Sequence, residues 1–355
     1  MVTCHYPLRL DTYSGCSHDC TYCYARNLLS KIGYWKNIRK ANVKQIRTYF
    51  DRPSNIRDAR IRRSIRHKLP VRLGGLTDCF QPLEKRERVT YDVLNILNEK
   101  SYPHMIVTKS DLVSNELYAD VLDTSFSYIQ MTIVSLEKDV FGKIERGAPE
   151  PNKRLKALEN LSERGFVTTG RISPVIPKVT VDECKLIIDE LNERGVNHIL
   201  IEFFRGNIDM VQELEEKVGV SLRQSMNKRG YYYRYGMKEK IRFYKDMKKY
   251  VKNKGMGFSI CSDGDPVPPG LNSTKNCCGT DCLPEFQNCV TCVANNIFFE
   301  SRHGDVSLSY MKKKYWSPDY SKFDNYWKSG EMENMVYGIH KNGSKYSLDG
   351  QRKNK

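Results

Sequence analysis

The chain has 355 residues, with 58 lysines and arginines against 42 aspartates and glutamates, which gives a formal net charge of +16. This length suits one large domain or two ordinary ones, and the positive charge favours anionic partners such as nucleic acid or nucleotides. No run of about eighteen apolar residues is present, which argues against a membrane-spanning helix. The twelve cysteines are too dilute for a disulfide scaffold, and no apolar leader precedes them. We therefore expect reduced thiols in a cytoplasmic protein with no membrane partner.

Short apolar segments alternate with amphipathic helical segments in the first 205 residues. The apolar segments are 69–76, 104–109, 127–135, 165–176 and 197–204, and we expect one further strand ahead of Cys16. This alternation predicts a parallel sheet covered by helices, an α/β fold. Two of the helices should end in Glu-Arg-Gly, at 163–165 and 193–195, because a cation in the last turn and a following glycine are typical helix ends.

Two segments depart from this alternation. Residues 31–72 hold fourteen lysines and arginines against two aspartates, so a net +12 is concentrated there. After about residue 205 the chain becomes basic and tyrosine-rich, with an expected helical conformation, and then Cys-rich between 261 and 292. The sequence therefore predicts a core of residues 1–205, with a basic insertion at 31–72, and a C-terminal region of residues 206–355.

Three cysteines lie close together near the start of the chain, in the order Cys16-x3-Cys20-x2-Cys23. Three thiolates on one tight loop can hold three irons of a cubane cluster and leave the fourth iron open. An open metal position is where metal-based chemistry takes place. The alternative is a structural zinc knuckle that uses His18 as its fourth ligand.

The segment around these cysteines resembles a known family. YSGCSHDCTYCYAR (13–26) resembles the cluster loop of radical S-adenosylmethionine (SAM) enzymes, and within them the branch of spore photoproduct lyase and its photolyase-like relatives. The resemblance continues, in order, through LGGLTDCFQPLEK (73–85), VTKSD (107–111), the block at 144–165 and RISPVIP (171–177). It implies an incomplete, TIM-like (β/α)6 barrel followed by a Cys-rich extension.

The same resemblance implies the cofactors and the residues that hold them. Cys16, Cys20 and Cys23 would ligate a [4Fe–4S] cluster whose open iron binds the amino and carboxylate groups of SAM. Tyr22 would lie near the adenine. Gly74 and Gly75, called here the glycine pair, would receive the SAM amino group, since a residue without Cβ allows the backbone to approach the ligand closely. The implied cofactor-binding residues are Tyr22, Gly74, Gly75, Thr108, Lys109, Ser135, Arg154 and Arg171.

The implied reaction is reductive. A reductase or flavodoxin-type donor would supply an electron, SAM would be cleaved to methionine and a 5′-deoxyadenosyl radical, and that radical would abstract hydrogen from a substrate carbon. Cys79 follows the glycine pair, close to where spore photoproduct lyases keep a cysteine that returns hydrogen to the product radical. Cys79 is therefore either a catalytic hydrogen donor or a small core residue.

A second group of cysteines lies near the C-terminus. It consists of Cys261, Cys277, Cys278, Cys282, Cys289 and Cys292, of which two pairs have ligand-like spacing. We expect a second metal site that holds a [4Fe–4S] cluster in preference to zinc. Six cysteines are more than one such site needs. The spacing alone does not select the ligands.

The predicted substrate follows from charge and aromatic content. The basic 31–72 segment and the Tyr231–Tyr235 run provide cations for phosphates and rings for stacking on bases. The favoured function is therefore radical modification or repair of a base in DNA or a nucleotide, as in lesion repair or phage-type hypermodification. One alternative is a radical SAM enzyme for a peptide or small metabolite. Another is a non-catalytic, zinc-dependent nucleic-acid-binding protein.

Overall fold

A computed structural model describes residues 8–261 and 270–286, apart from residues 36, 67 and 275. Seven parallel strands form the main sheet, in the order β1-β2-β3-β4-β5-β6-β10, and a small antiparallel sheet has the order β7-β9-β8. The strands are β1 (Leu8–Leu10), β2 (Val71–Leu73), β3 (His104–Thr108), β4 (Ser127–Thr132), β5 (Thr168–Val175), β6 (His198–Phe203), β7 (Arg205–Gly206), β8 (Met226–Arg229), β9 (Tyr232–Tyr235) and β10 (Gly257–Ile260). The main sheet is not closed, so the predicted class, a partial TIM-like α/β barrel, is confirmed.

Helices connect the strands of the main sheet. They are α1 (Tyr24–Lys31), α2 (Val43–Asp51), α3 (Ala59–Arg66), α4 (Glu84–Glu87), α5 (Val89–Glu99), α6 (Glu116–Ala119), α7 (Lys138–Ile144), α8 (Pro151–Glu163), α9 (Thr180–Glu193), α10 (Ile208–Val218) and α11 (Met237–Asn253). As predicted, α8 and α9 stop at Glu-Arg-Gly, and Gly165 and Gly195 have positive φ angles that end each helix. In the described part of the chain, no helix is long and apolar enough to cross a membrane.

The two faces of the main sheet differ in polarity. Side chains alternate along each strand, and Ile106, Ile129 and Ile199 point outward into the core formed with the helices. Tyr128, Gln130 and their neighbours on the other face are buried polar groups. This concave face offers polar groups to a site, and its apolar side chains pack against residues 270–286.

Part of the concave face is covered by residues 270–286. The Cys278 carbonyl oxygen accepts hydrogen bonds from Tyr128 and Gln130, each at 3.0 Å. Leu283 and Phe286 pack in a hydrophobic cluster with Met105 of β3. The described part of residues 270–286 therefore lies inside the partial barrel.

Two features beyond residue 205 differ from the sequence prediction. Strand β10, with the sequence GFSI, pairs with β6 and adds a seventh strand to the sheet. The tyrosine run, expected to be helical, forms β9 of a hairpin with β8. Gly230 makes the reversal possible with a φ of +59°, and tyrosine favours strands. The helix begins only at Met237.

Candidate active site

A cavity of about 190 Å³ lies at the carboxyl ends of the parallel strands. Parallel barrels place their sites at this end because all strand-to-helix loops meet there. The predicted residues that line the cavity are Cys16, Cys20, Tyr22, Cys23, Gly74, Gly75, Thr108, Lys109, Arg171 and Cys261. Residues far apart in the sequence are thus brought together around one space.

The loop that carries the first three cysteines is held by backbone hydrogen bonds and by Gln81. Gln81 Oε1 accepts from the Ser17 amide at 3.0 Å, and Gln81 Nε2 donates to the Gly15 carbonyl at 2.8 Å. From the other side, the Gly147 amide donates to the His18 carbonyl at 3.0 Å. A Cβ on Gly147 would lie 2.2 Å from the Ser17 carbonyl oxygen, so this close contact needs glycine.

The three sulfurs are soft ligands in a low-dielectric setting. Burial raises the pKa of Cys16 to about 12 and raises that of Cys20 as well. The thiols therefore lose their protons only when a cation such as iron displaces them and binds the sulfurs. Within the described residues, no three Cys, His, Asp or Glu side chains converge as ligands of one metal ion. A cubane requires no such convergence, because each cysteine binds a different iron. The donor set fits an iron–sulfur cluster.

The glycine pair forms the turn after β2. Gly74 has a φ of +75°, and a Cβ there would lie 2.0 Å from the Val107 carbonyl oxygen. Packing against β3 therefore already requires glycine at this position. The Gly75 carbonyl accepts a hydrogen bond from the Tyr24 hydroxyl at 2.8 Å, which ties the turn to the start of α1.

Asp78 is a site residue that the sequence analysis missed. Its carboxylate accepts from Thr108 Oγ1 and from the Lys109 amide, each at 2.7 Å, and lies 3.4 Å from His18 Nδ1. Burial by itself would raise the pKa of Asp78, but His18 and these hydrogen bonds lower it well below the usual range. Asp78 thus joins the glycine turn, the end of β3 and the cysteine loop. The motif TDCFQ pointed to Cys79 instead.

Tyr22 is held by a buried ion pair. Its hydroxyl donates to Glu145, and Arg154 Nη1 lies 2.6 Å from Glu145 Oε2, with the Arg154 and Glu145 side chains 0% and 2% exposed. Burial would raise the pKa of Glu145, but Arg154 and Lys109 lower it. The Lys109 ammonium lies 5.6 Å from the centre of the Tyr22 ring. This network orients the aromatic residue of the cysteine loop.

Three of the residues predicted to bind SAM or to act in catalysis lie outside the cavity lining. Arg154 donates to the carbonyl oxygens of Thr132 and Pro149, at 3.0 and 2.7 Å, in addition to its ion pair. Ser135 donates to Glu183 at 2.6 Å. Cys79 has 0% exposure and packs in the hydrophobic core. The chain turns at Asp78, so Asp78 faces the cavity and the Cys79 thiol does not.

Arg171 and Cys261 form the wall opposite the cysteine loop. Arg171 Nη2 lies 2.6 Å from Glu202 Oε2 and 3.7 Å from Cys261 Sγ. Burial would lower the pKa of Arg171, but Cys261 and Glu202 raise it. Cys277 hydrogen-bonds the Cys261 sulfur. The guanidinium is thus fixed at the cavity wall as a cation.

The remaining cysteines of the C-terminal group lie apart from this wall. Cys278 is buried, and Cys282 is exposed with its sulfur 3.3 Å from the Gly279 carbonyl oxygen. Cys289 and Cys292 lie outside the described residues. The second metal site therefore stays a prediction.

The cysteine loop, the glycine turn and the cavity-facing strand ends agree with a comparison against protein-family models. Residues 10–191, more than half of the chain, match the model of the radical SAM superfamily. The chain belongs to the radical SAM superfamily. Membership implies a [4Fe–4S] cluster and SAM as the cofactors of this part of the chain.

The chain is also similar to two curated proteins and to solved structures. An uncharacterized protein of Methanocaldococcus jannaschii is 31% identical over 170 residues, 47% of this chain and 60% of that protein. An uncharacterized protein of Acidianus two-tailed virus is 27% identical over 241 residues, 60% of this chain and 77% of that protein. A spore photoproduct lyase variant with bound AdoMet and dinucleoside spore photoproduct has a TM-score of 0.55 at 16% identity, covering 71% of this chain and 75% of that chain. This structural likeness shows a shared fold.

Proposed function

We propose that this radical SAM enzyme abstracts a hydrogen atom from a base in DNA or a nucleotide. When bound, the cluster and SAM supply the 5′-deoxyadenosyl radical. The chain's own residues position and enclose the reactants: Gln81 and Gly147 fix the cysteine loop, and Asp78 fixes the end of β3 against it. Fixed positions of this kind favour reaction of the radical with the substrate over reaction with stray donors.

The observation that carries the choice of substrate is the hairpin at the cavity rim. Residues 223–235 contain four arginines and lysines, four tyrosines and no acidic residue. The Tyr231 side chain at the tip is 89% exposed. Strand β7 pairs with β9, and Arg205 of β7 also lines the cavity, so the hairpin is continuous with the cavity wall. Proteins that bind single-stranded nucleic acid combine cations, which contact the phosphates, with aromatic rings, which stack on the bases.

The basic insertion contributes less free charge than its composition suggests. Arg47 pairs with Glu99 at 2.6 Å, and Lys40 pairs with Glu87 at 2.7 Å. Because part of this segment is neutralised by the neighbouring helix region, we assign the principal nucleic-acid contact to the hairpin.

Further support comes from the lyase structures. Two of these spore photoproduct lyase structures contain a dinucleoside spore photoproduct, so a protein of this fold binds a molecule that carries bases. We also propose that cysteines of the C-terminal group hold a second iron–sulfur cluster, in preference to zinc.

Binding of a single-stranded thymidine oligonucleotide at several salt concentrations tests the substrate class. Lys228→Ala combined with Arg229→Ala should weaken binding, and loss of two phosphate contacts should reduce the slope of log K against log salt by about 1.4. Lys245→Ala combined with Lys249→Ala removes the same charge from exposed positions of α11 and should leave the slope unchanged.

Two results would contradict the proposal. Binding without any salt dependence would favour a peptide or small-metabolite substrate. Absence of reductive SAM cleavage by the anaerobically reconstituted protein, with zinc as the only bound metal, would favour the non-catalytic nucleic-acid-binding protein.

A further inference from the structure

Among the described residues, four cysteines line the active-site cavity. Three belong to the cysteine loop, and the fourth is Cys261, on the opposite wall. By contrast, Cys79 and Cys184 are both 0% exposed within the hydrophobic core. Cys261 is therefore the thiol that faces the cavity without belonging to the first cluster motif.

The position of Cys261 is fixed by the sheet. It follows the last residue of β10, and its amide donates to the Ile201 carbonyl of β6 at 2.9 Å. Its sulfur lies 3.7 Å from Arg171 Nη2, and Arg171 is in turn held by Glu202 and by Gln130 Oε1, at 2.6 and 3.2 Å. A thiol on a rigid strand end keeps a defined direction toward a ligand in the cavity.

Cys277 contacts Cys261 and is itself anchored to β10. Its carbonyl oxygen accepts a hydrogen bond from Ser259 Oγ at 2.8 Å, which anchors it to β10, and its side chain hydrogen-bonds the Cys261 sulfur. Cys277 donates in this bond, and in the neutral pair each sulfur carries its own hydrogen. The two residues thus form a dithiol in which Cys261 lines the cavity.

We propose that Cys261 donates a hydrogen atom to the carbon radical that forms in this cavity. The proposal rests on the radical function proposed above and assigns the thiol that works there. The S–H bond of Cys261 breaks, a C–H bond forms on the radical, and a thiyl radical remains on the sulfur. One electron from a flavodoxin-type donor and one proton from solvent then restore the thiol.

This assignment also accounts for the number of C-terminal cysteines. Six exceed the four that a single cluster takes. Cys261 lines the cavity and Cys277 is hydrogen-bonded to it. The other four cysteines of the C-terminal group remain as candidate metal ligands. Replacement of Cys261 should therefore leave the iron content of the protein unchanged.

A substrate-free reaction in D2O tests the proposal without knowledge of the substrate. Anaerobic holoenzyme is supplied with SAM and dithionite, and the 5′-deoxyadenosine that forms is analysed by mass spectrometry. In wild type, the 5′-deoxyadenosyl radical should take deuterium from the exchanged Cys261 thiol, and dithionite reduces the resulting thiyl. Cys261→Ser should lose most of this deuterium, while Cys184→Ser, a buried thiol on α9, should retain it.

The possible results separate the two proposals. If wild type forms no 5′-deoxyadenosine, the radical function fails and the role of Cys261 fails with it. If 5′-deoxyadenosine forms and its deuterium persists in Cys261→Ser, only the role of Cys261 is refuted. Loss of deuterium in Cys79→Ala instead would make Cys79 the donor, and loss of iron in Cys261→Ser would make Cys261 a metal ligand.

A second measurement uses unmodified wild type, so it does not depend on the folding of a variant. Iodoacetamide should alkylate Cys261 faster than Cys79 or Cys184, because only Cys261 of these three lines the cavity. Bound SAM should slow that reaction. Equal rates for the three thiols, or no protection by SAM, would overturn the placement of Cys261 in the reaction space.

Discussion

The buried ion pair between Arg154 and Glu145 allows a quantitative test of how the cysteine loop is held. Both side chains are at most 2% exposed and their charged atoms are 2.6 Å apart, so solvent does not screen the pair. Arg154→Met keeps the volume but leaves the Glu145 carboxylate buried without its cation. Breaking such a pair from one side costs about 3–5 kcal/mol of unfolding free energy. Urea unfolding followed by circular dichroism, under anaerobic conditions, measures this loss.

A mutant cycle shows whether the loss comes from the pair itself. Glu145→Gln removes the buried negative charge, so the double variant with Arg154→Met should lose less free energy than the sum of the two single variants. Lys156→Ala on the same helix breaks an exposed pair with Glu159 and should leave stability unchanged. Additive losses in the cycle, or a loss below about 1 kcal/mol for Arg154→Met, would refute the reasoning.

Three further predictions concern single residues. Gly74→Ala should lower both stability and SAM affinity, measured by urea unfolding and equilibrium dialysis, because its Cβ would meet the Val107 carbonyl oxygen at 2.0 Å with φ at +75°; unchanged affinity would contradict this. Gln81→Leu should reduce the iron retained after reconstitution, since the Ser17 amide and Gly15 carbonyl lose their partner. Burial lowers the pKa of His104 from 6.5 to about 4, so the unfolded chain binds the proton more tightly than the folded chain. The free energy of unfolding should therefore be highest above about pH 6.5 and should fall as the pH decreases, by about 2 kcal/mol at pH 5. His104→Gln should flatten this decline in unfolding experiments, and an equally steep decline would refute it.

Most of the main sheet could be predicted because its signals are local. The apolar segments at 104–109 and 197–204 became β3 and β6 almost residue for residue, since a strand buried on at least one face has a distinct composition. The seventh strand was missed because GFSI is short and follows a long basic helix. The tyrosine run was assigned to a helix because its charge pattern resembles that of α11. In the structure, Gly230 lies in the turn between β8 and β9 and allows the chain to reverse.

The same division between local and distant signals applies to the site. Cys16, Cys20 and Cys23 could be assigned because their spacing within one loop carries the chemistry. Asp78 could not, because its importance lies in contacts with His18 and with Thr108 and Lys109, which are distant in sequence.

Arg154 shows why a motif can identify an important residue and leave its contacts open. Its motif suggested a cation facing SAM, but in the structure the guanidinium lies behind the cavity and reaches it through Glu145 and then Tyr22. Arg171 holds the opposite wall in the same way, through Glu202. A radical enzyme needs walls that stay in place while a reactive intermediate exists, and charges paired inside the walls provide this rigidity without presenting a loose donor to the radical. Sequence spacing cannot distinguish a cation that binds the cofactor from one that holds the wall, because the two differ only in which carboxylate the fold brings to them.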